Sequence, residues 1–147
     1  MLKVHQNTKF RITNPVNLII TNDNNQVLLL SRNEKEDQFL NSWSIPGGGL
    51  EDLETLEDGL KREILEETNC KILEYKYFKS YYVIINNSLH VRAIYFLGKI
   101  TGDIKLSSEH NNYKWFNLET INDPKISVAF NQREVINDYF KSLSGYS

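Results

Sequence analysis

The chain lacks the features that would tie it to a membrane, a nucleic acid or an oxidising compartment. It has one cysteine, Cys70, so it can form no internal disulfide. A lone thiol suits a reducing compartment, and a cytoplasmic location is expected. Long apolar runs are missing too: none approaches the roughly 20 residues that a helix needs to span a bilayer. The opening Met1-Leu2-Lys3-Val4-His5-Gln6-Asn7 has no apolar centre of the kind a signal peptide carries, so a soluble protein without a membrane partner is expected. Charge of one sign is also scarce, since 17 Lys+Arg against 19 Asp+Glu leave a net −2. That balance supplies no broad positive field to attract nucleic acid. There is no repeat, low-complexity tract or Pro/Ser-rich linker, only Asn scattered over turn positions. The 147 residues are expected to form a single domain over 1–147, around one core. The oligomeric state is not legible at this level, and a homodimer stays open.

What the chain does have is acid concentrated in one stretch. Behind the turn Pro46-Gly47-Gly48-Gly49 come Glu54, then Arg62-Glu63 and Glu66-Glu67. Glu63, Glu66 and Glu67 are related by three and four residues, so on an α-helix their carboxylates crowd one face. Without a cation they would repel one another. A hard divalent ion takes oxygen ligands, and Mg²⁺ is held by a few carboxylates together with the oxygens of a phosphate substrate. The array therefore reads as a magnesium site for diphosphate chemistry. The plain alternative is a solvated acidic helix paired with Lys61 and its like.

The flanking pattern places that helix. Val16–Ile20 and residues 27–30 are apolar runs around the turn formers Asp23-Asn24-Asn25, and they read as a hairpin buried on both faces. Trp43-Ser44-Ile45 is a short extended segment, stopped by Pro46 and three glycines that permit close backbone approach to a ligand or metal. Thr55 with Asp58 forms a cap-like start, and Leu56, Leu60 and Ile64 continue an amphipathic helix. Gly59 in its middle costs about 1 kcal/mol relative to Ala, so tight packing of helix on sheet is expected there. Residues 75–85 and 89–100 read as strands joined by Asn86-Asn87-Ser88, and 113–116 as one more. Residues 128–143 read as a second amphipathic helix. Strands covered by helices on both faces make an α/β fold, an α/β/α sandwich with a mixed β-sheet.

The polar residues spell a motif. Gly48, Glu54, Arg62, Glu63, Ile64, Glu66 and Glu67 stand in the register Gly-x5-Glu-x7-Arg-Glu-(apolar)-x-Glu-Glu. This resembles the box of the Nudix hydrolases, and the register outweighs the solvated-helix reading. The box departs from the usual form only at its end, where Asn69 replaces Gly and Cys70 replaces an apolar residue. Asn can take the left-handed conformation that closes a helix. The Gly-rich turn is not a Walker loop, because no Lys-Ser/Thr follows it.

The resemblance implies the same sandwich, and Mg²⁺-dependent hydrolysis, with Mn²⁺ as a substitute, of a nucleoside diphosphate linked to a group X. The small-molecule substrate would be a (d)NTP, a dinucleoside polyphosphate or a nucleotide sugar. It implies Glu63, Glu66 and Glu67 as metal-binding and catalytic glutamates, with the Gly48 carbonyl as metal ligand and substrate contact. Glu54 and Arg62 would orient helix and loop through a salt bridge. Glu109, in the polar loop 107–112, would be a further ligand or the general base; a surface loop with an incidental Glu is the alternative. His110 beside it is either a base or merely solvated. Arg32 would contact the substrate phosphates, next to a segment 33–38 expected to be mobile. Tyr77, Tyr81, Tyr82 and Phe39 either stack on a base or pack in the core, and Trp43 and Trp115 are assigned to packing. The rival reading is a Nudix-like module that binds a nucleotide without hydrolysing it.

Overall fold

The computed structural model describes residues 1–2, 9–32 and 42–145. The segment 33–38 and Phe39 therefore lie outside the described residues. In chain order the elements are β1 (Arg11–Thr13), β2 (Val16–Ile20), β3 (Val27–Arg32), β4 (Trp43–Ser44), β5 (Gly47–Gly48), α1 (Leu56–Thr68), β6 (Lys71–Asn86), β7 (Leu89–Thr101), β8 (His110–Phe116), α2 (Leu118–Ile121) and α3 (Gln132–Leu143).

β7 organises the larger sheet. It runs antiparallel to β6 along most of its length and parallel to both β2 and β1, while β5 adds to β2 antiparallel. β3 lies between β4 and β8 in a smaller antiparallel sheet. The mixed α/β architecture expected from the sequence is present. The hairpin expected between β2 and β3 is not: a single bridge, Thr21 to Val27, links them, and the strands enter different sheets. Asn22 accepts backbone N–H bonds from Asn24 and Gln26, and Asn25 sits at φ 55°, so the chain does reverse there. Beyond that turn each strand finds a longer ladder elsewhere, β2 with β7 and β3 with β8.

Both strands are buried on both faces, and their alternation divides the core in two. Val16, Leu18, Ile20, Leu28 and Leu30 pack with Leu60 and Ile64 of α1 and with Phe96. Ile19, Val27 and Leu29 face the other way, onto Tyr95, Phe116 and the α3 residues Val135, Ile136 and Tyr139. The strands thus lie between two helices. Trp43 sets its ring edge-on to Phe116 at 5.2 Å and Trp115 joins the α1-side cluster, so both pack as expected.

α1 is bounded as its sequence suggests: the Thr55 hydroxyl accepts the Asp58 N–H at 3.1 Å, and Asn69 closes the helix in the left-handed region at φ 63°. Three local expectations need correction. At Gly59 a Cβ would stand 2.4 Å from Leu50 Cδ2 and 2.9 Å from Glu54 Oε1, so the loop before the helix, not the sheet, requires the glycine. α3 starts at Gln132 rather than 128, because Val128 bridges to Trp43 and the Ala129 N–H donates to the Trp43 carbonyl at 2.9 Å. The loop expected over 107–112 already becomes strand at His110, which pairs with Arg32.

Candidate active site

Two glycines bring α1 onto the sheet. Gly47 and Gly48 pair with Asn17 and Val16, and a Cβ on Gly48 would lie 2.7 Å from the Glu63 carboxylate. The helix face that carries the glutamates is thereby held against backbone.

Arg62 ties this face to the preceding loop. Its Nε and Nη2 donate to the two Glu54 oxygens at 2.7 and 2.8 Å, Nη2 also reaches the Gly49 carbonyl at 2.9 Å, and Nη1 reaches Glu63 at 3.1 Å. The same Nη1 lies 3.3 Å from Glu66, whose side chain is 57% exposed. The Arg62 bond holds the Glu54 carboxyl down at about 2, and these carboxylates together push the guanidinium further up.

Glu67 lives in different surroundings. It is only 6% exposed; Oε1 accepts the Gly47 N–H at 2.9 Å, and Oε2 lies 3.3 Å from Nε2 of His110. Burial, reinforced by nearby Glu63 and Glu109, pushes its carboxyl up to about 8. Burial also raises Glu63, though Arg62 opposes this. His110 is itself buried, and its charged form is disfavoured first by desolvation and then by Arg32. Its Nδ1 has no hydrogen-bond partner among the described residues. The imidazole is therefore not the solvated loop side chain that the sequence allowed.

Gly47, Gly48, Glu67, His110 and Arg32 line one cleft of about 780 Å³, counted out to open solvent. Glu63 adjoins it through Gly48, and Glu109, which is exposed, acts electrostatically on Glu63, Glu67 and His110. The structure thus brings Arg32, Gly48 and Glu67 to the cleft, with Glu63 behind Gly48, Glu109 within electrostatic reach, and Glu66 turned toward Arg62 and solvent. The aromatic candidates fall elsewhere: Tyr81 donates to Asp138 of α3 at 2.7 Å, Tyr77 stands edge-on to Phe96, and Tyr82 stands edge-on to His90. None of these three is among the described residues that line the cleft. Sequence reasoning missed other parts of the lining, including Asn17, Phe130 and Gln132. Asn17 could have been found, because it is a polar side chain inside an otherwise apolar strand.

A sheet clasped between helices, with an acidic helix face at the mouth of a cleft, is an arrangement able to hold a hard cation beside a phosphate group. The chain belongs to the Nudix family: the NUDIX domain model matches residues 12–139. An ADP-ribose pyrophosphatase of Methanocaldococcus jannaschii is 32% identical over 129 residues, covering 86% of this chain and 72% of that protein. An 8-oxo-dGTP diphosphatase of Buchnera aphidicola subsp. Schizaphis graminum is 29% identical over 94 residues, covering 64% of this chain and 70% of its own length. Among solved structures, the MutT protein from Methanosarcina mazei Go1 superposes with a TM-score of 0.79 at 28% identity, covering 91% of this chain and 96% of that one. The protein is a Nudix pyrophosphohydrolase of nucleoside diphosphate-X substrates. Among the described residues no helix is long and apolar enough to cross a membrane.

Proposed function

We propose that this single-domain hydrolase cleaves its diphosphate linkage with a divalent cation, Mg²⁺ or in its place Mn²⁺, bound beside the α1 acidic face. One observation carries the reading: Glu67, held by Gly47 and His110, lines one cleft with Arg32 and Gly48, and Glu63 packs against Gly48. The donors fit a hard cation, since they are carboxylate and backbone oxygens. The Gly48 cradle fits too, because a side chain there would displace the Glu63 carboxylate. Among the described residues no three His, Cys, Asp or Glu groups converge into a cage of their own. That suits Mg²⁺, which takes few protein ligands and completes its shell from water and substrate phosphates.

The ion's few protein ligands would come from among Glu63, Glu66, Glu67 and the Gly48 carbonyl, which leaves Glu109 for the proton. When bound, it supplies positive charge to the phosphate oxygens and acidity to the attacking water. The protein's own groups do the rest. Arg62 fixes Glu63 and Glu66 relative to the loop at Gly49, and Gly47 and His110 fix Glu67. Arg32 draws the diphosphate into the cleft. Glu109 takes the water's proton, because it is exposed at the site while His110 is buried against Glu67. Water adds to one phosphorus and the bridging oxygen leaves, giving a nucleoside monophosphate and phosphorylated X. The lone Cys70 supports a cytoplasmic setting.

The test is a panel of ADP-ribose, 8-oxo-dGTP, ordinary dNTPs and a dinucleoside polyphosphate, with products separated by chromatography. ADP-ribose comes first, since its hydrolase matches the larger share of this chain. Turnover should require Mg²⁺ or Mn²⁺ and stop on chelation. Turnover that survives chelation, or none on any substrate with either ion, would reject the reading.

A further inference from the structure

The cleft has two chemically different ends. One gathers Gly47, Gly48, Glu67, His110 and Arg32, the groups suited to an anionic diphosphate. The other is lined by Val83 and Ile85 of β6 and by Val91 and Ala93 of β7. Val83 pairs with Val91 and Tyr81 with Ala93 in the β6–β7 ladder, so these apolar groups belong to one sheet surface. Ile85 is 37% exposed, so the core does not cover this surface completely.

Phe130 lines the same cleft and is 53% exposed. Its backbone sits at φ 50°, a region that bulky side chains seldom adopt. The neighbouring bonds impose that conformation. Ala129 N–H donates to the Trp43 carbonyl at 2.9 Å and Gln132 N–H to the Ala129 carbonyl at 3.0 Å. The Gln132 side chain accepts the Ile45 N–H at 2.8 Å and donates to the Tyr95 hydroxyl at 3.4 Å. Phe130 is thus mounted on a pinned turn, and the ring is presented to the cleft although glycine would suit the backbone better.

We propose that Phe130 is a specificity-determining residue of this enzyme: its ring stacks on the nucleobase of the substrate beside the Val83, Ile85, Val91 and Ala93 surface. The proposal rests on the nucleotide hydrolase reading above. A nucleotide matches both ends of the cleft, with a planar apolar head and an anionic tail. A sugar at the apolar end would need several hydrogen-bonding partners there. A base needs only faces to stack on, and every base has them.

The experiment is calorimetric titration of AMP, GMP, CMP, UMP and ribose 5-phosphate into the wild type and three variants, Phe130→Gly, Phe130→Leu and Phe130→Tyr. Glycine relieves the backbone as it removes the ring, so Phe130→Gly should melt no lower than the wild type. Leu keeps apolar bulk without a π face, which covers the case of a poorly folded Gly variant. At least one monophosphate should bind about tenfold more weakly to the Gly and Leu variants, the scale of one lost base–aromatic stack. The Tyr variant should restore binding to within about threefold, and ribose 5-phosphate should not distinguish the four proteins. Unchanged monophosphate affinity, an equal loss for ribose 5-phosphate, or no monophosphate binding by the wild type at millimolar concentration would each overturn the proposal. Hydrolysis of the substrate panel without ring-dependent binding would sink this inference alone. Ring-dependent binding without hydrolysis would sink the proposed function alone.

Discussion

Arg62 and Glu67 lie little more than one turn apart on α1, yet the carboxyls around them are driven in opposite directions. Beside Arg62, two guanidinium bonds keep Glu54 ionised down to about 2. At Glu67, burial lifts the carboxyl to about 8, against the single Gly47 N–H that favours its charge. One region is a clamp whose charges hold across the working pH range. The other keeps a proton near neutrality until a positive charge arrives to favour the anion. The number of acids on a helix face therefore says little by itself. Their depth decides which of them stay charged and which hold a proton. A cation reaching Glu67 should accordingly release a proton as it binds.

The strongest way to break this contrast is Glu67→Gln. The amide can still accept the Gly47 N–H but cannot ionise, so the fold should survive while turnover falls by roughly 10²-fold or more, at or beyond the upper end of what losing a group that supports a metal site costs. Wild-type kcat in a folded Glu67→Gln protein would remove Glu67 from the site. Arg62→Lys attacks the other region and should do less. Lysine keeps the charge but loses the fork that grips both Glu54 oxygens. We expect kcat/KM to fall about 10- to 100-fold, typical of a group that orients ligands from behind. Adding Glu54→Gln to Arg62→Lys should cost little more, because both changes break one clamp. Full additivity of the two losses would show that the clamp is not a unit.

The pH dependence of stability sharpens the comparison without any assay of turnover. Burial pushes the Glu67 carboxyl up to about 8 in the fold, above its ordinary value of 4.5. The native state then binds more protons between those values, so the Glu67 contribution is complete below about 4.5 and is lost as pH rises through about 8. His110, lowered in the fold, acts the other way at lower pH: its contribution is lost as pH falls from 6.5 through its depressed value. Subtracting the Glu67→Gln melting profile isolates the first effect. The wild type should lose Tm relative to that variant between pH 5.5 and 8.5, and saturating Mg²⁺ should shrink the difference. Parallel profiles would mean that Glu67 ionises normally.

Local features were legible in the sequence, and pairings distant along the chain were not. The cap at Thr55 and the leucine stripe of α1 lie within one short stretch, where spacing fixes geometry, whereas the Arg62–Glu54 bridge was legible only through the resemblance to the family's motif. Val16–Ile20 announced burial on both faces through its apolar run, but nothing in it named β7 rather than β3 as its partner. The contact of His110 with Glu67 depends on β8 pairing with β3 beside the glycine strand, so His110 read as a loop residue. Residues 128–131 carry an apolar spacing that passes for helix, and only the bonds to Trp43 show that they do not belong to it.

The smallest expected effect lies at the end of the same helix, where the box departs from its usual form. Asn69 closes α1 at φ 63° with its N–H on the Leu65 carbonyl, and this conformation demands little of Gly or Asn but much of a β-branched residue. Asn69→Gly should therefore leave Tm unchanged or slightly raised, and Asn69→Val should lower it. Neither side chain touches the clamp, so activity at a temperature where both are folded should stay close to the wild type. Equal melting temperatures for Gly and Val would mean that the cap has no energetic role. A loss of turnover in a fully folded Asn69→Val protein would instead couple the helix end to Glu67 two residues before it, and the division between clamp and buried acid would have to include the cap.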